Sequence, residues 1–514
     1  MPNQWAPNPP KEPLKAHAHR YWLMGLTQPK ILEALKDHFD TSTYGLGMTT
    51  FKGWMREWKF EGARKQGHTV ESIHGPIQDI RVRFPTIGSQ EIRRVLLNDM
   101  EIKVPKDLVL HYLRLTEPDA VRARRSNAKM VRRRFYSAGA NHIWAVDQHD
   151  KWRRFGLFLH LATEPYSGAL LWLVCWWSNS NPRLVTHQYI MTARRLGGIP
   201  LITQSDLGSE NFGIANAHTS IRQHLDPSLR GTLQHKWMNK HNNIKPEIAW
   251  KQFRVRFAPG FELLFDEGLD KGWYDPGNTL QRLVFRFLAI PFLQRELDSY
   301  VYRHNTSARR ANKHKSLPHG IPDRIFEHPE KFGGKDYKIP VSEEVLRAAE
   351  LQWAPPDHPV FELVPPVFAE FISSVYAEMG SPTVEFESFW NIYLVMLTLA
   401  QQRLPFCPAV QAVLDMYVDA PDAGENNDIP LMAHENVAEL GLNGIPAAHA
   451  IHEMQAPVAE GIEQVQAAPA PEDEDDDMDY YIEEEFIERD EELGEDVDGT
   501  ARPEAIVYFS SDEE

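Results

Sequence analysis

Three acidic residues, 59 and 41 positions apart, constrain this chain more than any other feature. The stretch 141–254 opens NHIWAVDQHDKW, with Asp147 near the end of an apolar, strand-like run. Its centre reads PLITQSDLGSENFG, where Asp206 follows a second strand-like run at residues 199–203. It closes HNNIKPEIAWKQFR, with Glu247 inside a helix-like segment. Two acids ending strands and one on a helix suit a carboxylate cage for two divalent cations, Mg2+ or Mn2+, because hard cations prefer oxygen ligands. Two such ions about 4 Å apart can activate an attacking oxygen and steady a leaving one at a phosphodiester.

The surroundings extend that reading. FGLFLHLATEPYSGALLWLVCWW reads as two apolar strands joined at PYSG, residues 182–196 and 211–224 as helices, and residues 225–243 as irregular. Glu247, Lys251 and Arg254 fall at i, i+4 and i+7, on one helix face, so a metal-binding acid would sit beside cations able to grip a phosphate backbone. The bland alternative is a surface Glu–Lys pair. Two further acids compete for a metal role, Asp150 three residues after Asp147 and Glu210 four after Asp206.

Upstream, residues 1–20 are proline-rich and expected to lack structure. Residues 21–62 read as a helix pair across the turn YGLG, either an ordinary hairpin or a helix-turn-helix offering Lys52, Arg56 and Lys59 to DNA. Residues 66–116 read as a second helical module, with Arg81, Arg83, Arg93 and Arg94 as candidate phosphate contacts. The linker 117–137 then carries Arg122, Arg124, Arg125, Lys129, Arg132, Arg133 and Arg134, seven cations in thirteen residues. Such a run suits phosphate neutralisation and nuclear import, or else a solvated helix face. After a core at 138–308 come a basic loop at 309–345, a helical region at 346–420 that includes a proline-rich linker at 353–366, and a tail at 421–514 on which no fold is expected.

The formal charge of −17 is unevenly spread. From Ala450 onward, 24 Asp and Glu face 2 Arg, a net charge of −22, so the other 449 residues carry +5. A mildly basic body with an acidic tail fits nucleic-acid binding, or an enzyme with a solvated tail. The acidic stretches 473–477 and 483–485 suit DNA mimicry or a basic protein partner, or solvation only. Two cysteines far apart, Cys175 and Cys407, exclude a disulfide framework and imply a reduced, intracellular setting. No run of about 18 apolar residues suggests a membrane span, and the N-terminus has no apolar signal core.

The segments WAVDQHDKW, WWSNSNPR, GGIP, SDLGSEN and NNIKPEIAW together resemble the integrase core of retroviral integrases and related transposases, which has an RNase H-like fold. They resemble still more closely the eukaryotic integrase-core proteins of fungi and animals that are linked to mobile elements. The resemblance runs from about residue 44 to 337. It implies an α/β chain: a mixed sheet with flanking helices, preceded by small helical modules and followed by a helical region. It places the family's three acids on Asp147, Asp206 and Glu247, with Glu210, Asn211 and Asn243 in support. It implies two Mg2+ or Mn2+ ions, double-stranded DNA held by Lys245, Lys251, Arg254 and the arginine run, and a homo-oligomer. The forty residues between Asp206 and Glu247 exceed the commonest retroviral gap. The retroviral zinc module of two His and two Cys has no counterpart here. The implied activity is DNA integration by hydrolysis and strand transfer. The alternatives are a domesticated, catalytically silent DNA-binding protein and an RNase H-type nuclease.

Overall fold

The computed structural model describes residues 6–118, 121, 136–238, 243–309, 317–419 and 429–433. The chain divides into two compact units, one ending at Phe60 and one starting at Glu61.

The first unit holds three helices, α1 (Lys11–Leu23), α2 (Gln28–Leu35) and α3 (Met48–Glu57). A helix over residues 11–20 departs from the expectation of no structure there. The prolines explain why it is tolerated: Pro9 and Pro10 precede α1, and Pro13 lies in its first turn, where no intrahelical N–H bond is lost. Leu14, Ala18, Tyr21 and Trp22 then form a buried stripe. Ile31 and Leu35 of α2 and Phe51 and Met55 of α3 are also buried. The turn before α3 is tied by Asp40, which accepts from the Ser42 N–H and Oγ (2.9 and 2.6 Å) and from Thr43 Oγ1 (2.6 Å).

The second unit opens with α4 (Val70–Arg83), α5 (Ser89–Met100) and α6 (Lys106–Thr116). These helices share one apolar core with residues 257–261, because Phe84 packs on Phe257 and Phe261. The sheet contains β1 (Ile143–His149), β2 (Phe158–Glu164), β3 (Ala169–Trp176), β4 (Ile202–Asp206) and β5 (His235–Met238). Its order is β3-β2-β1-β4-β5, antiparallel from β1 to β3 and parallel from β1 to β5. This is the mixed α/β sheet that the resemblance implied. β5 lies in a stretch expected to be irregular. It has four residues, and only His235 and Trp237 turn inward, too short a signal to read as alternation. His235 ties it to β4 through Thr203 Oγ1 (2.8 Å) and Ser205 Oγ (3.0 Å).

Successive residues of β1 and β2 serve opposite faces, as the pleat requires. Trp144, Val146 and Ala162 pack against α7 (Pro182–Leu196) and α8 (Phe212–Leu225), through Val185, Tyr189 and Ile214. Leu159 and Leu161 face the aromatic core built around α9 (Ile244–Arg256), α10 (Ala258–Asp270) and α11 (Thr279–Thr306). α11 also closes the sheet edge. Its Gln294 and Asn305 side chains bond the backbone of Cys175 and Leu173 (both 3.1 Å) and both polar groups of Leu170 (2.8 Å each).

α12 (Glu343–Trp353) joins α7 and α8, while α13 (Pro366–Glu378), α14 (Phe389–Arg403) and α15 (Pro408–Asp419) surround α11. The stretch expected to be a linker at 353–366 is instead pinned to the core. The indoles of Trp176 and Trp177 donate to the carbonyls of Val360 (2.9 Å) and Glu362 (2.8 Å), and Val360 is fully buried. Pro359–Glu378 is long and apolar enough to cross a membrane by length and composition alone, against the expectation of no such run. It consists of a short turn followed by the 13-residue α13, whose Phe368, Ile372 and Val375 are buried in the core.

Candidate functional site

The β1–β4 ladder ends at Ala145↔Gln204. Asp147 and Asp206 each stand two residues past that last bridge, where the strands part. Two buried asparagines span the gap. Asn243, just before α9, donates through Nδ2 to the Val146 carbonyl (2.8 Å) and accepts through Oδ1 from Gln204 (3.0 Å). Asn211 accepts from the Gln148 amide (2.7 Å) and donates to the Asp206 carbonyl (3.3 Å) and to Glu210 (3.3 Å). Both are fully buried, so each unmade bond would leave a desolvated polar group. Asn243 thereby anchors the start of α9 across both acid-bearing strands, and Glu247 lies one turn further along that helix.

Burial raises the Asp147 carboxyl to about 8, with the charge of Asp206 and then of Glu247 pushing the same way. The three acids therefore share one electrostatic site. Among the described residues, no three His, Cys, Asp or Glu side chains are drawn into a single metal cage. The donor set nevertheless fits a hard divalent cation: all its atoms are oxygens, and the burial and then the mutual repulsion that raise the Asp147 carboxyl are what a bound cation offsets. The indole of Trp250 also favours the ionised form of Asp147. Trp250 stacks on His149 with ring centroids 4.7 Å apart. Burial, then Arg254 and Lys151, push the His149 imidazole down to about 4, so it is neutral at physiological pH. Gln148, Gln204, His149 and Trp250 were not singled out by sequence. Their signal was only adjacency to the acids.

The competing acids lie together on the rim. Asp150 is exposed and accepts from the Asn179 amide (2.6 Å). Burial raises the Glu210 carboxyl, its own backbone N–H opposes the shift, and Asp150 adds to it. Gly208 makes room for this carboxylate: a Cβ there would lie 2.0 Å from Glu210 Oε1.

The expected cations divide sharply. Lys52, Arg56 and Lys59 are exposed on and just after α3. Lys251 and Arg254 are half-buried on the α9 face shared with Glu247. Lys245, expected to contact phosphate, is half-buried. Burial and then Arg309 push its ammonium down to about 8, while the fully buried Glu164 pulls the other way. The arginines of the second helical module are also turned to internal use. Arg81 forks onto Glu117 (2.6 and 2.8 Å) and the Ile87 carbonyl (2.8 Å). Arg83 meets Glu296 (3.2 Å), Arg93 the Val104 carbonyl (3.1 Å), and Arg94 both Glu91 and the Ala308 carbonyl (3.0 Å). Each guanidinium lies where packing supplies acceptors. Arg122, Arg124, Arg125, Lys129, Arg132, Arg133 and Arg134 lie outside the described residues.

Residues 135–328 match the family described as integrase core domain. Among curated proteins, none matches the chain. The matched residues take in the five-stranded sheet and α9, and so all three acids.

Proposed function

We propose that this integrase-core protein is a DNA integrase or transposase that cuts and joins phosphodiesters at Asp147, Asp206 and Glu247. Integrase core domains generally use divalent metals and bind DNA, which is the coarser frame for this reading. The observation that carries it is that Asp147 and Asp206 stand where β1 and β4 part, with Asn243 bonded to both strands at the start of the helix that bears Glu247. Two acids at the parted ends of two strands, with a third on the adjoining helix, repel one another, and a cation or a proton offsets that cost.

Asp147, Asp206 and Glu247 would hold two Mg2+ or Mn2+ ions. Those ions, when bound, activate a water or a 3′-hydroxyl and neutralise charge at the scissile phosphate. The protein's own share is positioning. Asn243 and Asn211 lock the strand ends, so the acids hold their spacing without reorganising. Trp250 and neutral His149, stacked on each other, pack beside the acids. Lys251 and Arg254 lie along the same helix face for the DNA backbone, and Lys52, Arg56 and Lys59 present a separate basic surface.

The test is nicking and strand transfer on labelled duplex DNA in Mg2+ and Mn2+, comparing wild type with Asp206→Asn and Glu247→Gln at matched DNA affinity. Metal-dependent products that fall by at least about 10³-fold in both variants are expected. DNA binding with no product in either metal, and no metal-dependent rise in Tm, would instead identify a silent DNA-binding protein.

A further inference from the structure

Residues 429–433 lie in a stretch on which no fold was expected, yet they are seated on the core. Asn216, fully buried in α8, donates through Nδ2 to the Pro430 carbonyl (2.8 Å) and accepts through Oδ1 from the Met432 N–H (3.0 Å). One side-chain amide thus reads the backbone on either side of Leu431, as a neighbouring strand would. Leu431, 5% exposed, packs with Phe212, Ala215, Leu233 and Trp237. Ile429 is 7% exposed.

The location matters as much as the fit. Leu207, directly after Asp206 in the chain, packs against the same cluster. Trp237 precedes Met238, the register partner of Asp206 on β5. The seated segment therefore lies beside the second acid of the candidate site. The chain continues from Ala433 into residues 434–514, which contain 26 Asp and Glu, 2 Arg and no Lys.

We propose that the pocket of Phe212, Ala215, Leu233 and Trp237, with Asn216 reading the backbone, is a docking site for the chain's own segment 429–433, and that this anchor presents the acidic C-terminal region to the DNA-binding face as a competitor of the DNA backbone. The docking stands on its own contacts; the competition rests on the proposed DNA function. Tethering supplies the competitor at high effective concentration without needing intrinsic affinity. Its polyanionic character makes the competition salt-dependent.

The experiment uses the full chain in three forms: wild type, Leu431→Asp, and a variant with the five acids of 473–477 changed to Asn or Gln. Hydrogen exchange reads docking directly. The Met432 amide is expected to be protected at least about ten-fold in wild type and to lose that protection in Leu431→Asp. Duplex DNA affinity, by fluorescence anisotropy, reads competition. Both variants are expected to bind about five-fold tighter than wild type in dilute salt, with the difference closing at high salt. An unprotected Met432 amide in wild type overturns the docking site. Protection lost in Leu431→Asp with unchanged DNA affinity overturns the competition and leaves a packing strap. If no form binds duplex DNA, the DNA function falls and the competition with it, while exchange still decides the docking.

Discussion

The two helical modules ahead of the sheet look alike in sequence, each a set of short amphipathic helices dotted with cations. Their cations have different tasks. On α3 and at the residue just past it, Lys52, Arg56 and Lys59 are exposed and have no ion-pair partner among the described residues. On α4 and α5, Arg81, Arg83 and Arg94 meet Glu117, Glu296 and Glu91. Arg303 of α11 joins this set, bidentate on Asp99 at 2.9 and 3.0 Å. An exposed cation keeps its charge available to a phosphate. A guanidinium spent on a partly buried carboxylate holds helices together, and removing it strands its partner. Charge density along a sequence therefore says little about nucleic-acid contact until the opposing acids are known.

The largest expected effect tests the internal half of that contrast. Arg81→Ala removes the fork onto Glu117 and the bond to the Ile87 carbonyl, so it should cost about 3 kcal/mol, seen as a lower denaturation midpoint. Unchanged stability with weakened DNA binding would reverse the assignment of the two modules.

Next comes a case in which removing charge stabilises. The Asp147 carboxyl titrates near 8 in the folded chain, against 3.8 for an ordinary aspartate. Between those values the folded state holds a proton that the unfolded state has released, so metal-free stability falls as pH rises through that window. Asp147→Asn should therefore stabilise the fold in chelator, little near pH 4 and by about 2 kcal/mol near pH 8, read from denaturation midpoints. Saturating Mg2+ should shrink the gain by stabilising wild type alone. A gain that does not depend on pH would mean that Asp147 is not electrostatically strained.

The exposed half of the contrast predicts binding loss without instability. Replacing Lys52, Arg56 and Lys59 together by Ala should weaken duplex DNA binding about ten-fold in dilute salt and lower the salt slope by about 3, with Tm unchanged. The smallest effect calibrates the others. Arg154 and Asp266 form an exposed bidentate pair (2.9 Å each), and Arg154→Ala should change stability by less than about 1 kcal/mol.

Much of the fold and the acids' local settings were legible in the sequence. Apolar runs carried β1, β2 and β3, because these strands are packed on both faces, and helix-like segments carried α7, α8 and α9. Asp147 and Asp206 at strand ends and Glu247 on a helix emerged from the same runs. What sequence could not supply was pairing. The seating of the 429–433 segment on Asn216, the docking of the 353–366 stretch under Trp176 and Trp177, and the enclosure of Lys245 near Glu164 join residues far apart in the chain. Such contacts leave no local periodicity. Only tertiary packing decides whether a polar group meets water, an opposite charge or another acid. The same carboxylate chemistry therefore gives Asp147 a raised pKa and Glu117 a structural partner.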